Sequence, residues 1–158
     1  MKSSSELKKL EMILSDNMKA LKLLLFIAIL IPFGADAQCR SFTKKNCRPE
    51  IDPYIHNGQL NSAVLYSGDS ADIQLTFYSG QDYRLVVCSE EQLGDTHFQV
   101  FDIEKNLIYD SQGKEKQTFD FKVQSTRQLI VTVIIPESSS THDIDTSGCV
   151  SVLVGFKN

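Results

Sequence analysis

Residues 71–88 read ADIQLTFYSGQDYRLVVC, and their alternation of apolar and polar side chains decides the fold class. Ile73, Leu75 and Phe77 share one face of an extended segment, because successive side chains of a β-strand point to opposite faces. Residues 79–82 are turn formers, and they lead into a second alternating segment. The stretch therefore predicts two consecutive strands, each with one buried face.

The same pattern continues in both directions, with turn residues about every ten positions, and no segment has a convincing helical period. Many short strands rich in Val, Ile, Phe and Tyr predict an all-β fold, a two-sheet antiparallel β-sandwich that is jelly-roll-like. A closed barrel is the structural alternative. The eight strand candidates are 63–66, 71–78, 83–88, 98–101, 107–109, 119–123, 129–135 and 149–156.

The first part of the chain has the three parts of a secretory signal peptide. Met18-Lys-Ala-Leu-Lys22 is basic, 23–31 is apolar, and Ala35-Asp-Ala37 supplies small residues before a cleavage site. The apolar run is far shorter than the ~20 residues of a membrane-spanning helix. We therefore expect a secreted or periplasmic protein that is cleaved after Ala37 and has no membrane span.

Three regions follow from this reading. Residues 1–37 are a leader, with translation expected to start at Met18 so that the signal peptide is 18–37. Residues 38–62 are polar and contain two prolines, so we expect an extended lead-in held by a disulfide. Residues 63–158 form the β-sandwich domain.

Four cysteines in an exported chain of this size predict two disulfides with three possible connectivities. A lipid anchor on Cys39 would need a small residue before it, but Gln38 stands there. The short spacing favours Cys39 with Cys47, which leaves Cys88 with Cys149. A four-cysteine zinc site is the alternative, although structural zinc ligands usually come in close pairs that this chain lacks. Strand parity places Cys88 and Cys149 on outer faces of the sandwich.

Charge and motif content exclude several functional classes. The chain has 16 Lys and Arg against 20 Asp and Glu, a net charge of −4, which argues against a nucleic-acid partner. No serine, cysteine or histidine stands in a catalytic or metal-binding motif, so we predict neither an enzyme nor a cofactor. Weak calcium candidates are carboxylates near turns, where Asp is also common for its backbone hydrogen bonds. They are Asp69, Asp72, Asp143 and Asp145.

The order of strands and turns resembles the bacterial pre-peptidase C-terminal (PPC-like) jelly-roll domain. The resemblance implies a non-catalytic accessory sandwich that docks beside other exported proteins. The chain departs from the family at residues 96–99 (THFQ), where an acidic strand start is common, so no calcium or ligand site is carried over. The segments that resemble it are 65–77, 79–87, 98–102, 107–110 and 129–133.

These observations predict a non-catalytic, exported protein-interaction or accessory module of a bacterial envelope. Its partner is an unidentified envelope or extracellular protein, with a glycan as the second choice. A carbohydrate-binding module would show an exposed aromatic pair on one sheet face, and a hydrolase or metalloenzyme would bring His97 or His142 to Asp143, Asp145 or a serine. Self-assembly through edge strands is a fourth hypothesis.

Overall fold

The computed structural model describes residues 39–137 and 146–157. The predicted leader 1–37 lies outside the described residues, so the signal peptide and its cleavage stay predictions. The described residues form nine strands: β1 Ile55–His56, β2 Asn61–Tyr66, β3 Ser70–Phe77, β4 Asp82–Ser89, β5 His97–Asp102, β6 Leu107–Asp110, β7 Thr118–Lys122, β8 Arg127–Ile134 and β9 Ser147–Lys157.

The strands form two antiparallel sheets, which confirms the predicted β-sandwich. Sheet A has the order β1-β9-β4-β7, and β2 also pairs with β9; sheet B has the order β3-β8-β5-β6. All eight predicted strands are present, as β2 to β9, and β1 is an addition. Between β2 and β9 only β5 and β6 are both consecutive and paired, so every other connection there crosses from one sheet to the other.

The main core lies between the sheets and contains the faces that the alternation predicted. Tyr83, Leu85 and Val87 of β4 are buried in this core, together with alternating residues of β8 and β9. Phe77 contacts the rings of Tyr83 and Phe121 edge-on, with ring centroids 5.0 Å away in both cases. Burial of these large apolar side chains is the main stabilising contribution to the sandwich.

A helical segment, residues 39–51, covers the outer face of sheet A, and this corrects the predicted extended lead-in. Residues 39–42 are α-helical, Thr43–Cys47 form a π-helical turn, and Arg48–Ile51 form a 3-10 turn. Its buried residues recur every fourth position: Cys39, Thr43, Cys47 and Ile51. This stripe is the sequence signal for the helix, and the polar composition of the other positions hid it.

The spacing of the buried residues along the helical segment matches the spacing of the outward-facing residues along β9. The Thr43 hydroxyl donates to the carbonyl of Cys39 (2.7 Å), so the Ser151 hydroxyl of β9 donates to Thr43 Oγ1 (2.6 Å). One turn further on, Cys47 packs with Leu153 in a second core cluster. Four helical residues rise about 6 Å and two strand residues about 6.7 Å, so the two rows stay in contact along the segment.

The disulfide joins Cys39 to Cys149, with a Cα–Cα distance of 5.2 Å, so both predicted pairings are wrong. Cys39 and Cys47 lie two turns apart, which is about 12 Å of helical rise and too far for a bridge. Cys88 of β4 is opposite Ser151 of β9. Cys88 and Cys149 are therefore diagonal neighbours and are not directly opposed. The predicted outward orientation of Cys88 and Cys149 is correct, but the helical segment covers that face.

Candidate functional site: an acidic groove beside the helical segment

A groove of about 790 Å³ lies on the outer side of sheet A. It forms because β7 pairs with β4 only from Asp82 to Val86, so the end of β4 continues without that neighbour. The helical segment supplies one wall, and the turn after β4 and the approach to β7 supply the others. The residues that line this acidic groove are Phe42, Asn46, Glu50, Val86, Val87, Cys88, Ser89, Glu90, Glu91, Gln92, Thr96, Glu115, Lys116, Gln117 and Thr118.

The charge of the acidic groove is strongly one-sided. Four glutamates line it, Glu50, Glu90, Glu91 and Glu115, against the single cation of Lys116. Within residues 39–137 and 146–157, none of these glutamates forms an ion pair. Carboxylates of one sign around a concave surface add their fields and attract cations over several ångströms, so the groove favours a positively charged partner.

Glu90 also has a structural role. Its carboxylate accepts the backbone N–H of Cys149 (2.8 Å), which ties the turn after β4 to the start of β9. Beside it, the Gln92 side-chain amide donates to the carbonyl of Ser147 (2.7 Å). The wall that carries Glu90 and Glu91 is therefore fixed to the sheet before any partner arrives.

The opposite wall is held by a buried hydroxyl. Ser111 is fully buried; its Oγ accepts the backbone N–H of Phe98 (2.7 Å) and is hydrogen-bonded to the side-chain carbonyl of Gln117. The Gln117 amide nitrogen also donates to the carbonyl of Lys114 (3.1 Å). These bonds order the loop that presents Glu115 and leave its carboxylate exposed.

Thr96 adds an unsatisfied polar group to the groove lining. Its residue surface is 6% exposed, and its Oγ1 has no hydrogen-bond partner in the described part of the chain. Buried hydroxyls are rarely left without a partner in folded proteins.

Arg84, on the same face of sheet A, lies beside one of the groove glutamates and donates to the backbone carbonyl of Glu50 (3.4 Å). Arg84 forms a two-pronged ion pair with Asp120, both nitrogen–oxygen distances being 2.7 Å, and donates to the carbonyl of Asp52 (2.5 Å). The hydrogen bond from Arg84 lowers the pKa of Asp120, and the same bond raises the pKa of Arg84. The Tyr54 ring lies 4.7 Å from this guanidinium and 4.6 Å from Lys157 Nζ. The guanidinium is therefore committed to its own partners.

The two predicted calcium candidates that the structure describes, Asp69 and Asp72, have separate hydrogen-bond partners. Asp69 accepts the backbone N–H of Tyr66 (2.9 Å) in a turn, and Asp72 accepts the hydroxyl of Thr132 across two strands (2.6 Å). Asp143 and Asp145 lie outside the described residues. In the part of the chain that the structure describes, no three His, Cys, Asp or Glu side chains form a group that could hold a metal ion.

The two histidines in the described part of the chain lie in different sheets, His56 in β1 and His97 in β5. His56 Nε2 is hydrogen-bonded to the carbonyl of Gln59 (3.1 Å) within a loop. His97 begins β5, where it lies opposite Ile134 of β8, and its charge helps lower the pKa of Asp110, after hydrogen bonds from Gln112 and Gln99. His142, which the hydrolase hypothesis also names, lies outside the described residues.

Exposed aromatic residues do not form the pair that a carbohydrate-binding face needs. Among the described residues the exposed tyrosines are Tyr66, which ends β2 in sheet A, and Tyr78, which follows β3 in sheet B. Tyr54 is occupied by its two cations, and Tyr109 stacks on Phe119 with ring centroids 4.1 Å apart.

Sequence reasoning missed the acidic groove. Glu90 and Glu91 lie in one polar loop and Glu115 in another, and each loop alone is an ordinary solvated turn. Only the β4–β7 pairing brings the two loops together. The sequence signal that was present is the negative charge of these glutamates, in two loops that flank predicted strands.

Comparisons with known proteins identify no family. No family model and no curated protein matches the chain. In the residues that the structure describes, no helix is both long and apolar enough to cross a bilayer.

Three solved structures share part of the architecture. All are of PliG, a periplasmic inhibitor of g-type lysozyme. The Aeromonas hydrophila protein has a TM-score of 0.48 and 12% sequence identity over 66% of this chain and 89% of its own. The Salmonella Typhimurium protein has a TM-score of 0.39 and 13% sequence identity, over 62% of this chain and 89% of its own. A mutant of the Escherichia coli protein has a TM-score of 0.39 and 9% sequence identity, over 67% of this chain and 91% of its own. At these values no site residue is carried from PliG to this chain.

Proposed function

We propose that this chain is an exported, non-catalytic protein-interaction module whose acidic groove binds a cationic segment of another exported protein. The observation that carries the proposal is the groove itself, in which four glutamates face one lysine. Its volume lies within the range of recognition pockets, about 300–1,000 Å³. The PPC-like accessory role expected from the sequence is compatible with this proposal and stays a prediction.

The lining supports binding of a protein segment. The walls are fixed by the hydrogen bond that Glu90 accepts and by those that Gln92 and Gln117 donate. Little ordering therefore accompanies binding, and a preorganised surface loses less entropy on association. Phe42, which is partly exposed, gives the groove an apolar component beside its charges. A lysine or arginine side chain matches this combination, with an apolar stem and a cationic head.

Export is supported by the disulfide between Cys39 and Cys149. Such bonds persist in oxidising compartments and are rare in the cytosol. We infer a secreted or periplasmic location, in agreement with the predicted signal peptide.

The test measures binding of residues 38–158, produced in an oxidising compartment, to purified exported proteins ranging from acidic to basic. A g-type lysozyme, the enzyme that PliG inhibits, is one probe. We expect binding of at least one basic protein, with an association rate that falls as salt rises. Acidic proteins of similar size should not bind.

A pair of matched variants assigns the binding to the groove. Glu91→Gln with Glu115→Gln removes two groove charges, and Glu104→Gln with Glu137→Gln removes two exposed charges elsewhere. We expect at least tenfold weaker binding for the first variant and less than twofold change for the second. Equal losses in both variants, or no binding across the panel, would overturn the proposal. Binding of glycan alone would favour the carbohydrate alternative.

A further inference from the structure

We propose that Cys47 and Cys88 form a second disulfide in the exported protein, beneath the acidic groove, which gives the connectivity Cys39–Cys149 and Cys47–Cys88. This inference is independent of the proposed partner. It uses the two cysteines that the first bridge leaves as thiols.

The first argument is position. Cys47 is fully buried in the outer cluster with Ile51, Val86 and Leu153, and Cys88 packs against the same cluster. Val86 and Leu153 are directly opposite each other on β4 and β9, and Cys88 follows two residues later on the same face. The stripe of the helical segment thus places Cys39 over β9, where it is bonded to Cys149, and Cys47 beside β4, where it packs with Val86.

The second argument is proximity of the two side chains. Cys88 packs against the buried cluster that contains Cys47, and the neighbouring Cys47, followed by burial, raises the pKa of Cys88. Cysteines in one packed cluster need only a small movement to reach bonding geometry. The helical segment is already fixed at its start by the Cys39–Cys149 bond, so the contact is maintained by the fold.

The reaction needs an oxidant, and we assign this role to the disulfide of a thiol–disulfide oxidoreductase, or to oxidised glutathione in vitro. One cysteine, as its thiolate, attacks a sulfur of the oxidant, breaks its S–S bond and forms a mixed disulfide. The other cysteine loses its proton, attacks the mixed disulfide and releases the second oxidant sulfur as a thiol. Two protein thiols are oxidised by two electrons, and one oxidant disulfide is reduced to two thiols.

The order of events follows from burial. Cys47 is 0% exposed, and the raised pKa of Cys88 keeps its thiolate scarce at neutral pH in the folded protein. Thiolate is the reactive form. Oxidant therefore reaches the pair when the helical segment opens from β4, and the closed, reduced pair reacts slowly with oxidants.

The test is a disulfide map of residues 38–158 from an oxidising compartment. The protein is denatured without reductant, alkylated and digested with trypsin. We expect no alkylated cysteine and a linked pair of peptides, 46–84 with 85–105. Alkylation of both Cys47 and Cys88, or a peptide linking Cys39 to Cys47, would overturn the proposal.

Two variants show whether the fold selects the pair. In Cys47→Ala we expect Cys88 to become the one alkylated cysteine, with the Cys39–Cys149 link retained. In Cys39→Ala with Cys149→Ala we expect the 46–84 to 85–105 link to persist. A link from Cys88 to Cys149 in the first variant would contradict selection by the fold. If a variant fails to fold, the map of the natural sequence still decides.

Discussion

Removal of the Cys39–Cys149 bond is the perturbation whose magnitude follows most directly from the structure. The bond closes a loop with a sequence separation of 110 residues. In the chain-entropy model, a loop of this length lowers the entropy of the unfolded chain by about 16 cal/mol/K, or about 4.8 kcal/mol at 25 °C. If a Cys47–Cys88 bond is also present, the remaining loop shortens to about 70 residues and the value to about 4.4 kcal/mol.

We therefore expect Cys39→Ala with Cys149→Ala to lower the free energy of unfolding by roughly 4 to 5 kcal/mol. That is a large share of the ~5–15 kcal/mol net stability of a small domain. Alanine is used because both positions are buried, at 2% and 5% exposure, where serine would add an unsatisfied hydroxyl. Urea unfolding followed by far-UV circular dichroism measures the change, and free energies are compared because a lost cross-link also alters the denaturant slope.

A reductant provides the control. In reducing buffer the natural chain loses its own bond, so the variant should differ from it by less than about 1.5 kcal/mol, the cost of small changes in packing. The reasoning is refuted by an oxidised-state difference below about 2 kcal/mol, or by the same difference with and without reductant. Either result would mean that the loop entropy does not act as calculated.

Three further changes probe the contacts around the helical segment. In Gly155→Ala the new Cβ lies 2.7 Å from Tyr54 Cβ and 2.8 Å from Ile51 Cγ2. The end of the helical segment must therefore shift, and we expect a loss of about 1–3 kcal/mol, measured by urea unfolding; a loss under about 0.5 kcal/mol would contradict these contacts. Leu153→Ala empties a 0% exposed position and should lower stability by about 2–5 kcal/mol in the same assay, and a smaller loss would mean that the segment collapses to fill the space. The pKa of Asp120 is lowered by its hydrogen bond with Arg84, so its contribution is present above the ordinary pKa of about 3.9 and lost as pH falls through the lowered value. The free energy of unfolding of the natural chain should therefore fall more steeply below about pH 4 than that of Asp120→Asn. The difference should be under about 1 kcal/mol, because the Asp120 side chain is 45% exposed. Parallel pH curves for the two chains would show that the Arg84–Asp120 ion pair has no effect on stability.

The strands were predictable from the sequence because alternation reports burial directly. Residues 71–88 became β3 and β4 with the expected faces buried. Their pairing was not predictable, since β3 and β4 lie in different sheets, and period-two patterning says which face is buried but not against which strand. The predicted disulfide pairing was wrong for the same reason. Cys88 and Cys149 point to the predicted face, but the strand register places Cys88 opposite Ser151.

The helical segment and the acidic groove were missed for related reasons. Residues 39–51 bury only one position in four, and two of the four are cysteines, which were interpreted as bridge positions instead of an apolar stripe. The groove joins three separate stretches of chain, and only their assembly places the four glutamates around one surface. Charge in a concave surface is a property of the assembled sheet, so no local pattern reports it.

The helical segment links these features into one structural unit. It converts the outer face of sheet A into a second interior, since Val86 and Leu153 are 1% and 0% exposed beneath it, and removing it would return both to water. It also supplies Phe42, Asn46 and Glu50 to the acidic groove. The Cys39–Cys149 bond therefore stabilises one wall of the acidic groove as well as the fold. A domain boundary at residue 63 would divide the second core cluster, which joins Cys47 and Ile51 to Val86 and Leu153.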